Sequence, residues 1–420
     1  MSPNHDAIVI GGGPSGAVAA LVMARAGLRV LVIERARHPR FRIGESTMPR
    51  VLSLIRELGL EDRLKALAQV EKQGASFAFG QDEDLRSFRF DDGFPEGETL
   101  AFNIERAVFD EMLMSAATEA GAEILEGQAV RRIERLEEGR VEVATGDAVH
   151  SARYLVDASG QNTVVGRHLG TREVIPGLRK VAYFSHFLDV ERAPQPEGGY
   201  VIGILCKEGW FWIIPIDERR TSIGLVIDAD AARSTGLPAD RILAWAIARC
   251  PQMARRCSRA VCTEVSGCIA DFSYTCRPYA GPGYFLVGDA AAFLDPIFST
   301  GVCLGMMGGR MAAEGIASIL AGTAPEPVRA RYISTVETSS SIFFRLIHAY
   351  YDPSYRDLFL SDRSDPFRIR RAMLSLLAGH VFPQPSYRLL WRLRLLELFV
   401  WLNRHVPLAP RREALSLLGT

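Results

Sequence analysis

The sequence predicts a mixed α/β protein with three parts: a lobe built on a parallel sheet, an inserted β-sheet lobe and a helical C-terminal segment. Residues 7–34 alternate strand, glycine turn, helix and strand, which is typical of a parallel βαβ unit. Residues 176–275 are rich in β-type runs, and the pattern after residue 326 is helical. A chain of 420 residues is long enough for two or three such lobes.

Composition narrows the possible partners and the location. The chain is 48% hydrophobic and 23% charged, as in ordinary globular proteins. Basic and acidic residues balance at 49 each, so no global charge favours nucleic acid as a partner. The 7 cysteines, an odd number without a CxxC pair, indicate neither a disulfide framework nor a metal site and favour a cytoplasmic setting. No run of about 18 apolar residues predicts a transmembrane helix.

The first motif is a glycine turn at residues 11–16, Gly-Gly-Gly-Pro-Ser-Gly, which matches GxGxxG between a strand and a helix. Gly11 permits the tight turn, and Gly13 lets the backbone approach a pyrophosphate at the helix N-terminus. Gly16 lets helix and strand pack closely. Glu34 ends the second strand, where a carboxylate can accept a hydrogen bond from a ribose hydroxyl. These residues predict a Rossmann-like, dinucleotide-binding lobe.

Three later segments favour FAD over a nicotinamide nucleotide. Arg106, Asp157 in Asp-Ala-Ser-Gly and Asp289 in Gly-Asp-Ala-Ala resemble the flavin-contact segments of the p-hydroxybenzoate-hydroxylase-type flavoproteins. The resemblance implies that Asp289 binds the ribityl chain and that Arg106 lies near the flavin phosphate. The predicted FAD-binding residues are Gly11, Gly13, Ser15, Gly16, Glu34, Arg35, Glu45, Ser46, Arg106, Asp157, Asp289 and Gly301.

The same resemblance covers residues 5 to about 325 and implies a division into domains. The predicted FAD-binding domain is discontinuous and comprises residues 1–75, 100–175 and 276–325. The predicted substrate-side β-sheet domain comprises residues 76–99 and 176–275, and the predicted C-terminal helical lid comprises residues 326–420.

Within that superfamily, the segment from Trp210 to Pro215 fits the WxWxIP signature of the flavin-dependent halogenases. Trp210 and Trp212 are two residues apart and therefore share one face of a strand. There they can form a rigid wall between flavin and substrate. The alternative is an aromatic stripe that only packs a sheet.

The segment from Phe293 to Gly301 resembles the FxxPxxSxG segment of the same halogenases. The resemblance implies that the backbone amides of Thr300 and Gly301 hold a halide, chloride or bromide. A turn that opens a helix leaves N–H groups unpaired at the positive end of the helix dipole, which suits a small anion. The alternative is a loop that binds only the flavin pyrimidine edge.

Lys72 stands where halogenases carry their active-site lysine, which implies an amine that guides hypohalous acid to the substrate. Burial would shift its pKa towards reactivity, whereas the alternative is a solvated surface charge. Tryptophan halogenases have a glutamate immediately before Ser-Thr-Gly, and Phe298 replaces it here. The chain therefore resembles the shorter phenol and pyrrole halogenases, and its general base is unassigned.

The resemblance implies an FADH2- and O2-dependent halogenase that acts on a phenol or pyrrole, free or tethered to a carrier protein, with FADH2 supplied by a separate flavin reductase. A hydroxylating monooxygenase and a non-catalytic flavoprotein are alternatives. A geranylgeranyl-reductase-like enzyme is another, although Trp210, Ile214 and Ile216 depart from its YxWxFPK segment. Residues 387–404 are interpreted as part of the lid, or as a basic amphipathic face for a membrane or carrier protein.

Overall fold

The structure is a computed structural model that describes residues 3–94, 97–263, 267–270, 272–361, 365, 367–382 and 385–419. Its helices are α1 (Pro14–Arg25), α2 (Pro49–Glu57), α3 (Glu61–Lys65), α4 (Arg106–Glu119), α5 (Val164–His168), α6 (Ala229–Ser234), α7 (Ala239–Arg249), α8 (Pro251–Arg256), α9 (Gly301–Leu320), α10 (Pro325–Tyr350), α11 (Pro353–Phe359), α12 (Ile369–Leu377) and α13 (Tyr387–His405).

The strands of the same ranges are β1 (His5–Ile10), β2 (Val30–Glu34), β3 (Gln69–Lys72), β4 (Gly74–Phe79), β5 (Arg86–Arg89), β6 (Ala101–Ile104), β7 (Glu123–Glu126), β8 (Arg132–Glu137), β9 (Arg140–Thr145), β10 (Ala148–Asp157), β11 (Arg172–Val174), β12 (Lys180–Leu188), β13 (Val201–Leu205), β14 (Gly209–Pro215), β15 (Arg220–Asp228), β16 (Val261–Cys262), β17 (Gly267–Ala270), β18 (Tyr274–Cys276), β19 (Ala280–Gly281), β20 (Tyr284–Leu286) and β21 (Ala292–Phe293).

The first lobe is built on a parallel sheet, as the sequence predicts. Its strand order is β19-β20-β10-β1-β2-β7, and β20, β10, β1, β2 and β7 pair in parallel. Residues 7–10 of β1 are all buried apolar side chains, which is typical of a parallel strand covered on both faces. Helices α1, α4 and α9 pack together beside this sheet. The mixed α/β fold with a Rossmann-like lobe is therefore confirmed.

The second large sheet has the order β16-β12-β15-β14-β13-β4-β5, with β17 also paired to β12. Its two faces alternate along β14. Trp210 and Trp212 belong to the core shared with the first lobe, whereas Phe211 and Ile213 join a second core with α7 and α8. Strand β4 begins at Gly74, before the predicted boundary after residue 75. Gly74 pairs with Arg89 of β5, and Ala75 pairs with Val201 of β13. The three-domain division stays a prediction.

The C-terminal part consists of α10–α13 and an extended tail. After His405 the described residues form no further helix, so the predicted helical lid ends before the described chain does. Glu208, in the turn between β13 and β14, accepts hydrogen bonds from the Ser416 hydroxyl at 2.6 Å and the Leu417 N–H at 2.8 Å. The tail thus packs against the second sheet. Within the described residues, every helix is too short or too polar for a membrane span.

Candidate active site

A main cavity of about 610 Å³ opens where β1, β2 and β10 end. Open α/β sheets bind their ligands at the carboxyl ends of such strands, and 300–1,000 Å³ is about the usual size of a ligand pocket. Turns of the first lobe line one side of this cavity, and Trp210, Trp212 and Ile214 from β14 line the other. The cavity therefore joins the two sheets.

The glycine turn excludes side chains from one wall of the main cavity. Gly11 has φ 104°, and a Cβ there would overlap the carbonyl oxygen of Ala158. A Cβ on Gly16 would overlap the carbonyl oxygen of Gly11, so α1 can approach β1 only with glycine here. Gly11, Gly13 and Ser15 line the cavity, whereas Gly16 lies behind them in the contact between helix and strand.

Glu34 closes the same wall at the end of β2. Its side chain is buried, and its carboxylate accepts hydrogen bonds from the N–H of Gly12 at 2.7 Å and of Ala36 at 2.9 Å. These two bonds fix the carboxylate at the cavity edge, and its contact with a ribose stays a prediction. Arg35 also lines the cavity and donates to the side-chain oxygen of Asn162 at 3.3 Å.

Four arginines, Arg35, Arg40, Arg42 and Arg106, line the main cavity together. The Nε of Arg40 is buried without a hydrogen-bond acceptor in the described part of the chain. Burial, and then the like charges of Arg40 and Arg35, lower the pKa of Arg42. Arg40 is paired with Asp110 at 2.8 Å, and its Nε lies 3.8 Å from the Glu34 carboxylate. The positive charge of the cluster as a whole fits a pyrophosphate. Sequence reasoning missed Arg40 and Arg42, although the basic run that follows β2 was a visible signal.

Arg106 begins α4 and is held by its own helix. Its guanidinium makes two hydrogen bonds to the Asp110 carboxylate, at 2.8 and 3.0 Å, and a third to the carbonyl of Ile43 at 2.9 Å. Burial raises the pKa of Asp289 across the cavity to about 6, and the charge of Arg106 opposes that rise. The two side chains are thus close enough to interact electrostatically, and their contacts with the flavin stay predictions.

Asp157 occupies a different position. It is buried at the end of β10, and its carboxylate accepts from the N–H of Ser159 at 3.0 Å and of Val165 at 2.7 Å. Among the described residues, Ser159 and Gly160 line the cavity and Asp157 does not. Asp157 therefore shapes the turn that borders the cavity, and a direct contact with FAD stays a prediction.

Glu45 lines the cavity and is paired with a residue that the sequence did not indicate. Its carboxylate lies 2.9 Å from Nε2 of His186 and accepts from the N–H of Gly44 at 2.9 Å. Glu45 and His186 are both buried and lie 141 positions apart in the chain. No spacing rule could have linked them.

The segment 293–301, here called the halide loop, bends sharply before α9. Ser299 adopts φ 55°, which is uncommon for a residue with a side chain. Thr300 caps α9, and neither its N–H nor that of Gly301 has an acceptor within the described ranges. Both residues line the main cavity. The helix start therefore offers free donors at its positive end.

Phe298 lies at the position where a glutamate would act in tryptophan halogenases. Its ring is buried and packs edge-on against Tyr350, with ring centroids 5.7 Å apart. This position therefore makes an apolar contact in the core, and among the described residues Phe298 does not line the main cavity.

Trp210 and Trp212 share one face of β14, as predicted, with ring centroids 6.1 Å apart. We call this pair the tryptophan wall. The Trp210 indole N–H donates to the Tyr351 hydroxyl at 3.2 Å, and that of Trp212 donates to the Ser222 hydroxyl at 3.1 Å. Gly224 on β15 leaves room for Trp212, because a Cβ there would overlap the indole ring.

Lys72 ends β3 and is buried. Its amine donates to the Ser46 hydroxyl at 2.9 Å and to the Thr47 carbonyl at 3.0 Å, and it lies 5.4 Å from the centroid of the Phe90 ring. Burial lowers the pKa of Lys72 to about 7. Of the described residues, Ser46 lines the main cavity and Lys72 does not. The amine thus lies directly behind one residue of the cavity wall.

Known proteins resemble this chain across the same regions. The FAD binding domain family matches residues 4–338. The 1H-pyrrole-2-carbonyl-(peptidyl-carrier protein) brominase of Pseudoalteromonas luteoviolacea is 34% identical over 76% of this chain and 79% of that protein. The corresponding chlorinase of Pseudomonas fluorescens is 27% identical over 93% of this chain and 92% of its own length.

Among solved structures, that of the flavin-dependent brominase Bmp2 matches with a TM-score of 0.83 and 29% identity, and the match covers 94% of this chain and 98% of Bmp2. The likeness therefore extends well beyond the first lobe.

Proposed function

This chain belongs to the FAD-binding flavoproteins and, within them, to the flavin-dependent halogenases, and we propose that it installs chlorine or bromine on an electron-rich aromatic ring, a phenol or a pyrrole. Bound as FADH2, the cofactor supplies with dioxygen the oxidant that converts halide to hypohalous acid. The arginine cluster and the glycine turn fit the pyrophosphate of FAD. The observation that carries the finer proposal is the buried amine of Lys72.

Lys72 is the group that directs the halogen in this proposal. With a pKa of about 7, a large share of the amine is neutral near neutral pH. A neutral amine can hydrogen-bond hypohalous acid or take up the halogen itself, which an arginine cannot do. The bond to Ser46 holds the amine towards the cavity wall, and desolvation rather than a paired charge lowers the pKa.

The halide loop and the tryptophan wall complete the scheme. The free N–H groups of Thr300 and Gly301 hold the halide beside the flavin. Trp210 and Trp212 then separate the flavin from the aromatic substrate, so that the oxidant reaches the substrate only as the smaller hypohalous acid. That separation disfavours direct hydroxylation.

The relatives suggest how the aromatic ring is presented. Two of them are named for a pyrrole carried by a peptidyl-carrier protein. We therefore extend the proposal to a carrier-tethered pyrrole, with a separate flavin reductase as the source of FADH2. A cytoplasmic location stays a prediction from the cysteine content.

The test compares Lys72→Ala and Lys72→Arg with the wild type and with Lys65→Ala, a control at an exposed lysine paired to Glu61. Each enzyme receives FADH2, dioxygen, bromide or chloride, and a panel of phenols and pyrroles that includes a carrier-bound pyrrole, with products read by mass spectrometry. Both Lys72 variants should bind FAD and consume dioxygen but give no halogenated product, whereas Lys65→Ala should match the wild type.

Two results would contradict the proposal. Halogenation by Lys72→Ala at the wild-type rate would remove the central residue. A hydroxylated product that forms equally well without halide would assign the enzyme to the monooxygenases.

A further inference from the structure

A second cavity of about 260 Å³ borders Trp210, one member of the tryptophan wall. Its lining includes Lys180, Trp210, Asp228, Tyr351 and Arg356. Trp210 lines both cavities, so its indole is part of the partition between them.

A short hydrogen-bond chain crosses this partition. The Trp210 N–H donates to the Tyr351 hydroxyl at 3.2 Å, and that hydroxyl donates to the carboxylate of Asp295 at 2.6 Å. Within the described residues, Tyr351 lines only the second cavity and Asp295 only the main one. The bond between Tyr351 and Asp295 therefore connects the two cavities.

Asp295 belongs to the halide loop and is fixed in place. Its other carboxylate oxygen accepts from the N–H of Ile297 at 3.0 Å, and the side chain is buried. The carboxyl group is thus held in the wall of the cavity that the flavin would occupy, which Thr300 and Gly301 also line.

Three titratable groups of the described chain act on Asp295. Tyr351 donates a hydrogen bond to the carboxylate, and Tyr350 is close enough for its pKa to be raised by the charge of Asp295. The amine of Lys180 lies 4.4 Å from the centroid of the Tyr351 ring and pairs with Asp228 at 2.6 Å. Burial raises the pKa of Asp295 to about 6, and Tyr351, the Ile297 amide and Lys180 oppose that rise. The pKa of Tyr351 is raised well above its usual value by burial and by Asp295.

We propose that Tyr351 and Asp295 form a proton relay that carries protons from the second cavity to the flavin side of the tryptophan wall. The inference rests on the proposed function, because halogenation with FADH2, dioxygen and halide consumes one proton for each halide that enters the product. Where bound flavin excludes water from the main cavity, that proton must arrive through the protein.

Halide loses two electrons as it takes one oxygen of the reduced dioxygen, the O–O bond breaks, and the other oxygen receives the proton of the Asp295 carboxyl group. Tyr351 then passes its hydroxyl proton to the Asp295 carboxylate and takes a proton from water in the second cavity, and the hydroxide that remains is neutralised by acid from the solvent. Since an isolated phenolate is disfavoured here, the last two transfers occur together.

The test uses Asp295→Asn, which keeps an oxygen that can accept from Tyr351, and Tyr351→Phe. Enzyme loaded with FADH2 is mixed with dioxygen and bromide, and flavin reoxidation is followed by stopped-flow absorbance across pH. The bromide-dependent phase of the wild type should slow as pH rises through about 6, because the protonated carboxyl is lost. Asp295→Asn should slow this phase about 10²-fold at neutral pH, lose the pH dependence and regain rate with added acetic acid.

Infrared titration of the protein with oxidised FAD gives a second measurement that does not depend on turnover. The wild type should show a protonated carboxyl band with a midpoint near pH 6 that Asp295→Asn lacks. Tyr351→Phe should raise that midpoint, because it removes a donor to the charged form.

Ser222→Ala is the matched control, since it removes the acceptor of Trp212 as Tyr351→Phe removes that of Trp210. If the hydrogen bonds only position the wall, both variants should lower the rate alike without changing its pH profile, which would overturn the relay. An Asp295→Asn enzyme with wild-type rate and pH profile would also overturn it and leave the halogenase proposal intact. If bromide has no effect on reoxidation of the wild type, both proposals fail.

Discussion

The two sides of the main cavity are built in different ways. On the first-lobe side, backbone turns that are each continuous in sequence, at 11–16 and 288–301, supply the shape and the free N–H groups. On the opposite side and behind the cavity wall, single side chains from distant strands and helices meet, such as Trp210 with Tyr351 and Lys72 with Ser46. Of these, Trp210 and Ser46 line the main cavity. Backbone-built sites leave short motifs in a sequence, whereas side-chain-built sites do not.

We expect the largest effect on the first-lobe side of the main cavity from a substitution of Gly11. Gly11→Ala combines an unfavourable φ of 104° with overlap against the Ala158 carbonyl. We expect a loss of about 3 kcal/mol or more in the free energy of unfolding, together with loss of FAD binding. Urea denaturation and FAD fluorescence titration measure the two effects.

The control is Gly27→Ala, where φ is 79° but no atom lies within 4 Å of the added Cβ. It should cost only about 1 kcal/mol and leave FAD binding unchanged. Equal effects of the two variants would mean that close approach at Gly11 does not shape the cavity.

On the opposite side, Gly224→Val should displace Trp212. The added side chain would overlap the indole, and overpacking of this kind costs about 1–3 kcal/mol. Because the change leaves the glycine turn untouched, FAD affinity should stay close to that of the wild type while tryptophan fluorescence and halogenated product change. A parallel loss of FAD affinity would show that the two sides are not independent.

Particular residues show how far the sequence could predict this site. Gly11, Glu34 and Thr300 were found because their motifs carry a local backbone requirement, and the structure brings all three to one cavity. Tyr351 was missed because it meets Trp210 only through folding, 141 positions away. The second cavity was missed for the same reason.

The fold divides in the same way. The parallel sheet follows from buried apolar strands and the glycine turn, and the tryptophan wall follows from two-residue alternation along β14. The extended tail after His405 could not be predicted, because it is held by scattered contacts such as the two hydrogen bonds to Glu208 and the burial of Leu417 in the second core. Such contacts have no periodic signature.

Lys72 makes the side-chain-built region sensitive to pH. Its pKa is about 7 in the folded protein and about 10.5 when exposed, so the unfolded chain binds more protons between these values. Stability should therefore rise with pH across this interval, by at most about 1.4 kcal/mol per pH unit. Urea unfolding of the wild type and of Lys72→Met at pH 7, 8 and 9 measures how the free energy of unfolding changes with pH. In Lys72→Met the rise with pH should be smaller, because only the other titratable groups still contribute to it. Parallel stability curves would show that the amine is not desolvated.

The smallest predicted effect lies at Glu34, where a side chain contributes to the backbone-built side. Its carboxylate accepts from two N–H groups, so in Glu34→Gln one of the two would face an amide NH2 in place of an oxygen. Because the residue is buried, the loss is not fully compensated by water. We expect FAD affinity to fall about tenfold, or about 1.4 kcal/mol, by fluorescence titration.

Glu123→Gln, at an exposed carboxylate on β7, should have no effect. If NADP proved to be the nucleotide that binds and responds to Glu34, the assignment of the first lobe to FAD would be wrong, and with it the contrast between the two sides of the cavity.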